Sequence, residues 1–290
     1  MKVYGFTFIR NAVKYDYPVV EAILSILPIC DSVIVAVGNS DDGTRELIAS
    51  IHPTKVVIVD TVWDDSLREG GRVLAVETDK AYAAIPDDAD WAFYIQGDEV
   101  MHERYLDPLR KAMEEHLHNP LVDGLLFKYE HFYGSYDYVG ASSKWYRNEI
   151  RVIRKDAKIY SFRDAQGFRK GENKKLNVKP ANATMYHYGW VKDPRAMQLK
   201  QENFHKMWHD DQWVEQHVVK ATEFDYHANV RSLKRFEGSH PKVMQARVDR
   251  VNWKFDVDVS FNRDTFKDKA KALAYAWFGL DFNYKNYRKV

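Results

Sequence analysis

The chain has 290 residues, of which 45% are hydrophobic and 29% charged, a globular composition that excludes collagen-like, coiled-coil and largely disordered chains. Its 43 basic and 42 acidic side chains leave a net charge of +1, so nothing pulls the whole molecule toward nucleic acid or anionic lipid, although a local basic pocket is compatible with this balance. Cys30 is the single cysteine, which excludes an internal disulfide and points to a reducing compartment.

Strand and helix signals alternate over about the first 130 residues. Met1 enters the strand-like run Val3 to Ile9 directly, without the charged start and apolar stretch of a secretory leader. Pro18 opens a helical pattern through Ile23, Leu24 and Leu27. The mostly apolar run there, Val19 to Cys30, contains Glu21 and is shorter than the roughly 20 residues of a membrane span. A cytoplasmic protein is expected. Ser32 to Val37 is a continuous apolar strand of the kind covered on both faces in parallel sheets. A polar turn, Asn39 to Thr44, leads into a helix from Thr44 to Ile51. Lys55 to Asp60 reads as a strand, Leu67 to Ala84 as a helix, Trp91 to Ile95 as a strand, Tyr105 to Leu117 as a helix and Gly124 to Tyr129 as a strand.

This order predicts an α/β fold with a mostly parallel central sheet flanked by helices. Beyond about residue 130 the chain is less regular, and Pro194 to Thr222 and Asp264 to Val290 carry helical patterns. The expected organisation is a main domain over 1–190 with a helical C-terminal extension over 191–290 packed on it. Ligands of such sheets bind beyond the carboxyl ends of the strands. Arg10-Asn11, Asn39 to Thr44 and Gln96 to Glu99 all follow strands, so parallel strands would bring the three clusters to one edge.

Four groups of residues could carry chemistry there. Asp98 and Glu99, at a strand end, suit a hard cation such as Mg²⁺ or Mn²⁺, and equally a solvated turn. His187 sits among aromatics in Tyr186-His187-Tyr188, which fits a core histidine or a third ligand beside Asp98. Asp42 could cap the following helix or face a ribose. Arg68 and Arg72 are about one helical turn apart with Gly70 and Gly71 between them, so on one helix they would share a face able to meet a pyrophosphate, or simply a solvated face. His205 and His209, at i and i+4, read as an exposed helix face.

Taken together the motifs resemble family-two nucleotide-sugar glycosyltransferases with the GT-A, Rossmann-like fold. Ser40-Asp41-Asp42-Gly43-Thr44 resembles their Ser-x-Asp-Gly-Thr motif. Ile95-Gln96-Gly97-Asp98-Glu99 resembles their Leu-Asp-Ala-Asp-Glu metal motif. Phe6 to Asn11 resembles the first strand and loop that hold the base, and His187-Tyr188-Gly189-Trp190 the late histidine motif. The resemblance implies metal-dependent transfer of a sugar from a nucleoside-diphosphate sugar to a hydroxyl of a glycan or other acceptor, with inversion, as in polysaccharide biosynthesis. It implies Asp98 and His187 as ligands of Mn²⁺ or Mg²⁺. It implies Phe8, Arg10, Asn11, Asp42, Arg68, Arg72, Gln96 and Gly97 as donor-binding residues, and Asp164 as the catalytic base, with Glu172 and Asp156 as rivals.

UDP is the nucleotide implied first. Gln96 replaces the first Asp of the metal motif, and Val37 or Gly38 stands where the family has a uracil-binding Asp, so another base stays open. A non-catalytic sugar- or nucleotide-binding protein on the same scaffold is the alternative. A nucleotidyltransferase would carry a Gly-rich basic loop, absent from Phe6 to Asn11. The run Tyr129, Phe132, Tyr133, Tyr136, Tyr138 and Trp145 suits an acceptor wall. The basic and aromatic tail, Lys267 to Lys289, suits peripheral contact with the inner face of a membrane, or packing on the main domain.

Overall fold

The computed structural model describes residues 1–218, 220–260, 263–278 and 280–290. Its first half alternates as the apolar runs require: β1 (Val3–Ile9), α1 (Val19–Ile26), β2 (Ser32–Gly38), α2 (Thr44–Ala49), β3 (Val56–Thr61), α3 (Arg72–Ala83) and β4 (Trp91–Tyr94). β3, β2, β1 and β4 lie side by side and parallel. The all-apolar β2 is buried because α1 packs on one face of this sheet and α3 on the other.

The sheet then changes direction, so it is mixed and not mostly parallel. After β5 (Glu99–Met101) and α4 (Leu106–Glu115) come β6 (Gly124–Tyr133), β7 (Ser135–Gly140) and β8 (Asn148–Arg154). β8 inserts between β4 and β6, antiparallel to both. The cause is the chain's return through β7 and a short loop, which reverses direction without a crossover helix. β9 (Ile159–Phe162) and β10 (Gly167–Lys170) form a hairpin, and the 17-residue β11 (Lys174–Trp190) runs parallel to β6.

The remainder holds α5 (Pro194–Lys206), α6 (Asp211–His217), α7 (Tyr226–Asn229), β12 (Leu233–Arg235), α8 (Gln245–Asp249), α9 (Phe266–Phe278) and β13 (Tyr287–Lys289). It is not purely helical, since β12 pairs with β7 and β13 with β11. Val219, within the helix expected over Pro194 to Thr222, and Gly279, in the expected helical tail, lie outside the described residues. The helix expected from Leu67 starts only at Arg72, because Gly70 and Gly71 adopt φ of 59° and 69°. Arg68 and Arg72 therefore do not share a helix face.

One interaction ties the halves of the sheet together. Glu99, fully buried at the start of β5, accepts hydrogen bonds from Arg151 Nε (2.8 Å) and Nη2 (2.7 Å) on β8 and from the Tyr129 hydroxyl (2.7 Å) on β6. A desolvated pair of this kind is costly to break from one side. Glu99→Gln should lower unfolding free energy by about 3–5 kcal/mol in urea titrations, whereas Glu99→Gln combined with Arg151→Met should recover much of the loss.

Candidate functional site

β1 and β4 end side by side, and the chain beyond them opens into a cleft of about 640 Å³. Phe8, Arg10 and Asn11 line it from the first strand end, and Gln96, Gly97 and Asp98 from the second. Arg68, Asp164 and His187 reach it from distant parts of the sequence. Asp42 and Arg72 do not line it. Asp42 accepts from the backbone N–H (3.1 Å) and hydroxyl (2.6 Å) of Thr44 and from the N–H of Lys14 (2.7 Å), and the Thr44 hydroxyl accepts from the N–H of Ala12 (2.7 Å). The motif thus stitches the loop after β1 to the start of α2.

The approach of His187 to Asp98 follows from strand pairing. β5 pairs antiparallel with β11 in the register that sets His187 opposite Glu99, and the N–H of Tyr188 donates to the Asp98 carbonyl (2.8 Å). Glu99, the first residue of β5, enters the core, while Asp98, in the turn just before it, faces the cleft. His187 Nε2 lies 3.7 Å from Asp98 Oδ1. Gly189 permits this: a Cβ there would stand 2.7 Å from Asp98 Oδ2 and 2.8 Å from the His187 ring.

A second histidine fixes the His187 tautomer. His131 Nε2 is 2.8 Å from the Tyr146 carbonyl and so donates to it, which leaves its Nδ1 as the acceptor 3.1 Å from His187 Nδ1. Burial keeps both rings below the usual imidazole value and neutral. His187 therefore carries its proton on Nδ1 and turns the Nε2 lone pair toward Asp98. Orientation of a ligating histidine by an outer partner is a usual feature of metal sites.

These two donors fit a divalent ion, since a 3.7 Å gap is spanned by bonds of about 2.1 Å. Among the described residues no group of three or more His, Cys, Asp or Glu converges, so further ligands would be water and ligand oxygens. A protein cation is already present. Lys200 Nζ, from α5, lies 3.0 Å from Asp98 Oδ2 and 2.9 Å from the Gly189 carbonyl, and 5.0 Å from the Tyr17 ring centre. Burial opposes ionisation of Asp98, but the Lys200 ammonium, which also donates to it, outweighs burial and holds the carboxyl well below its usual range. Burial and the Lys200 charge pull Lys192 down to about 7.

Asp164 faces the same cleft from the turn between β9 and β10. Its neighbours Arg163 and Ala165 adopt φ of 59° and 62°, a left-handed region that non-glycine residues rarely occupy. Gly71 leaves room for it, because a Cβ there would lie 2.9 Å from Asp164 Cβ. The Gln96 amide donates to the Ala165 carbonyl (3.2 Å), tying this turn to the end of β4. Burial raises the Asp164 carboxyl above the usual range. The rivals lie elsewhere: Asp156 pairs with Lys170 (2.8 Å), and Glu172 is exposed on the turn before β11.

The far end of the cleft offers donors. Arg10 pairs with Asp65 (2.6 Å) and its guanidinium lies 5.5 Å from the Trp63 ring centre, yet Arg10 Nε and Trp63 Nε1 are buried without a protein partner. Arg68 lines the cleft and pairs with Asp211 (2.7 Å). Sequence patterns alone do not single out Lys200, Lys192, His131 or Trp63; for Trp63 the available signal is an aromatic two residues after a strand.

A second space of about 660 Å³ adjoins the cleft across a wall of Trp190, Gln201 and His205. Of the aromatic run expected as one wall, Tyr133 and Trp145 line this chamber, joined by Trp190 and Phe224. Tyr129, Phe132, Tyr136 and Tyr138 are buried in the core instead, because both faces of the sheet are covered there: Tyr129 packs in one apolar cluster, Phe132 and Tyr136 in a second and Tyr138 in a third. His209 is not a plain exposed face either, since it stacks on Trp213 at 3.5 Å between ring centres.

No protein-family model matches the chain, and no curated protein matches it in sequence. Among solved structures it is similar to S. aureus TarS 1–349, at 13% identity over 70% of this chain and 64% of that one, with a TM-score of 0.42. A second TarS structure gives 15% identity over 70% and 39%, with a TM-score of 0.41. Glucosyl-3-phosphoglycerate synthase from Mycobacterium tuberculosis, in complex with Mn²⁺, UDP and glucosyl-3-phosphoglycerate, gives 19% identity over 45% and 44%, with a TM-score of 0.30. The chain thus spans less than two thirds of each of these proteins. Likeness at this level carries no argument about activity, which rests on the residues of the cleft.

The buried Glu149 gives the stability of the fold a pH signature. Burial, with smaller contributions from Glu99 and Asp164, pushes its carboxyl from 4.5 up to about 8 against the opposing charge of Arg151. A carboxyl raised on folding is neutral at no cost at low pH and destabilises the fold progressively as pH climbs toward its folded value. Glu149→Gln should leave Tm near that of the parent at about pH 5 and raise it relative to the parent by about pH 9, as read by calorimetry.

Proposed function

We propose that the protein transfers a sugar from a nucleoside-diphosphate sugar to an acceptor hydroxyl. The observation that carries this reading is the convergence of Asp98, His187 and Asp164, from three separate stretches of chain, on one cleft beyond the ends of parallel strands. In this reading Phe8, Arg10, Asn11 and Trp63 receive the nucleoside, the unpartnered N–H groups of Arg10 and Trp63 meeting its acceptor atoms. Arg68 and Lys200 face the diphosphate, and Gln96 and Gly97 line its passage.

Asp98 and His187 hold the divalent ion, which when bound offsets the charge of the leaving diphosphate as a Lewis acid. The acceptor oxygen forms its bond to the anomeric carbon as the bond to the phosphate oxygen breaks, and the electron pair leaves with the diphosphate. The acceptor proton passes to the Asp164 carboxylate, whose raised value makes it a better base; such a role contributes about 10²–10⁴ in rate. Attack from the face opposite the diphosphate inverts the anomeric carbon. The chamber beside the cleft, with Trp145, Trp190 and Tyr133 on its walls, receives the acceptor.

A second reading, donor binding without a metal ion, is favoured by the ion pair of Lys200 with Asp98, which places a protein cation beside the same carboxylate. Calorimetry with UDP and its sugars, with Mn²⁺ or with a chelator, separates the two. Metal-dependent binding that disappears in Asp98→Asn supports the first, whereas undiminished binding in the chelator that is lost in Lys200→Met supports the second. Asp164→Asn should keep donor affinity and slow transfer at least about a hundredfold. Turnover at the parental rate in that variant would remove Asp164 from the mechanism.

A further inference from the structure

α9 is built inside out for a helix of a globular protein. Phe266, Ala270, Leu273 and Trp277 recur at i, i+4, i+7 and i+11 and so form one stripe. That stripe faces away from the protein, with Phe266 90%, Leu273 53% and Trp277 75% exposed. The inward side is the polar one. Asp268 is buried and accepts from the hydroxyls of Ser143 (3.0 Å) and Thr265 (2.7 Å), while the Arg147 guanidinium lies 3.6 Å from the Tyr275 ring centre. Water does not favour this orientation, and the anchoring contacts fix it.

Phe278 at the end of the helix, and Leu280 and Phe282 after it, are exposed as well. Lys267 and Lys269 are exposed on the helix that carries the stripe, and residues 266–290 hold six basic and two acidic side chains. Trp, Phe and Leu on one stripe with lysines around it is the composition of helices that lie in the headgroup region of a bilayer. A second copy packed stripe to stripe would cover the apolar residues but bring like charges together, whereas an anionic lipid surface meets both the stripe and the positive charge. Among the described residues no helix is long and apolar enough to cross a membrane.

We propose that α9 and the segment after it dock the protein onto an anionic lipid surface, with Phe266, Leu273 and Trp277 entering the interface and Lys267 and Lys269 meeting the headgroups. This property belongs to the surface alone and is independent of the chemistry of the cleft. The test is sedimentation of the full chain with vesicles of phosphatidylglycerol and phosphatidylcholine, against vesicles of phosphatidylcholine alone. Binding to the mixed vesicles should exceed binding to phosphatidylcholine at least about tenfold and fall as salt rises.

The triple variant Phe266→Ser, Leu273→Ser, Trp277→Ser should lose binding. The charge variant Lys267→Glu, Lys269→Glu should weaken it at least about tenfold with Tm unchanged, which keeps the test valid if the triple variant unfolds. Quenching of tryptophan fluorescence by brominated lipid should be smaller in Trp277→Phe. Failure of the full chain to bind the mixed vesicles, or undiminished binding by both variants, overturns the proposal. So does concentration-dependent self-association without vesicle binding.

Discussion

Two neighbouring carboxylates at the entry to β5 organise this protein. Glu99 points into the core and is neutralised there by Arg151, with the Tyr129 hydroxyl as a further donor. Asp98 points the other way, into the cleft, and is met by His187 and Lys200. The division falls where a turn becomes a strand: the Glu99 N–H donates to the Gln96 carbonyl (3.0 Å), so Asp98 rides on the turn and Glu99 begins β5. The first carboxylate fixes where β8 and β6 run relative to β4, and the second inherits that rigidity.

The cleft is also held by the C-terminal segment. Lys192 donates to the Asp16 carbonyl (2.7 Å), and Arg247 reaches both Asp16 and Glu21 (2.7 Å each). The loop after β1, which carries Asn11 and a left-handed Asp16, is thereby clamped between α2 on one side and residues distant in sequence on the other. A ligand entering here meets donors and charges already ordered, so less ordering entropy is lost on binding. Burial strengthens each electrostatic contact in the cleft, and it opposes the charge of Asp98 and Asp164 alike; only Asp98 has cations close enough to reverse the effect.

Much of the first half was legible because its signals are local. The apolar runs of β1, β2 and β4 mark buried strands, and their polar ends mark the rim where Asn11 and Asp98 sit. Asp98 and His187 came together on paper through a resemblance, and in three dimensions through the register of β5 against β11. The mixed sheet was not legible, since no local pattern tells β8 to insert antiparallel between β4 and β6. The apolar pattern from Leu67 to Ala84 places Arg68 and Arg72 on one helix, but Gly70 and Gly71 are left-handed in succession, and the helix begins only at Arg72. Lys200 is one of two lysines on α5, and only its position over Asp98 distinguishes it.

The wall shared by the cleft and its side chamber has a thermodynamic consequence. Gln201 and His205 belong to α5, the helix that also carries Lys200. A guest that competed Lys200 away from Asp98 would remove one of the contacts that hold that helix to the sheet, and the helix carries the partition between the two compartments. Occupancy of one is then linked to the volume of the other, and linkage of this kind is reciprocal: a molecule that pushes the partition aside must change the affinity for the first guest by the same factor.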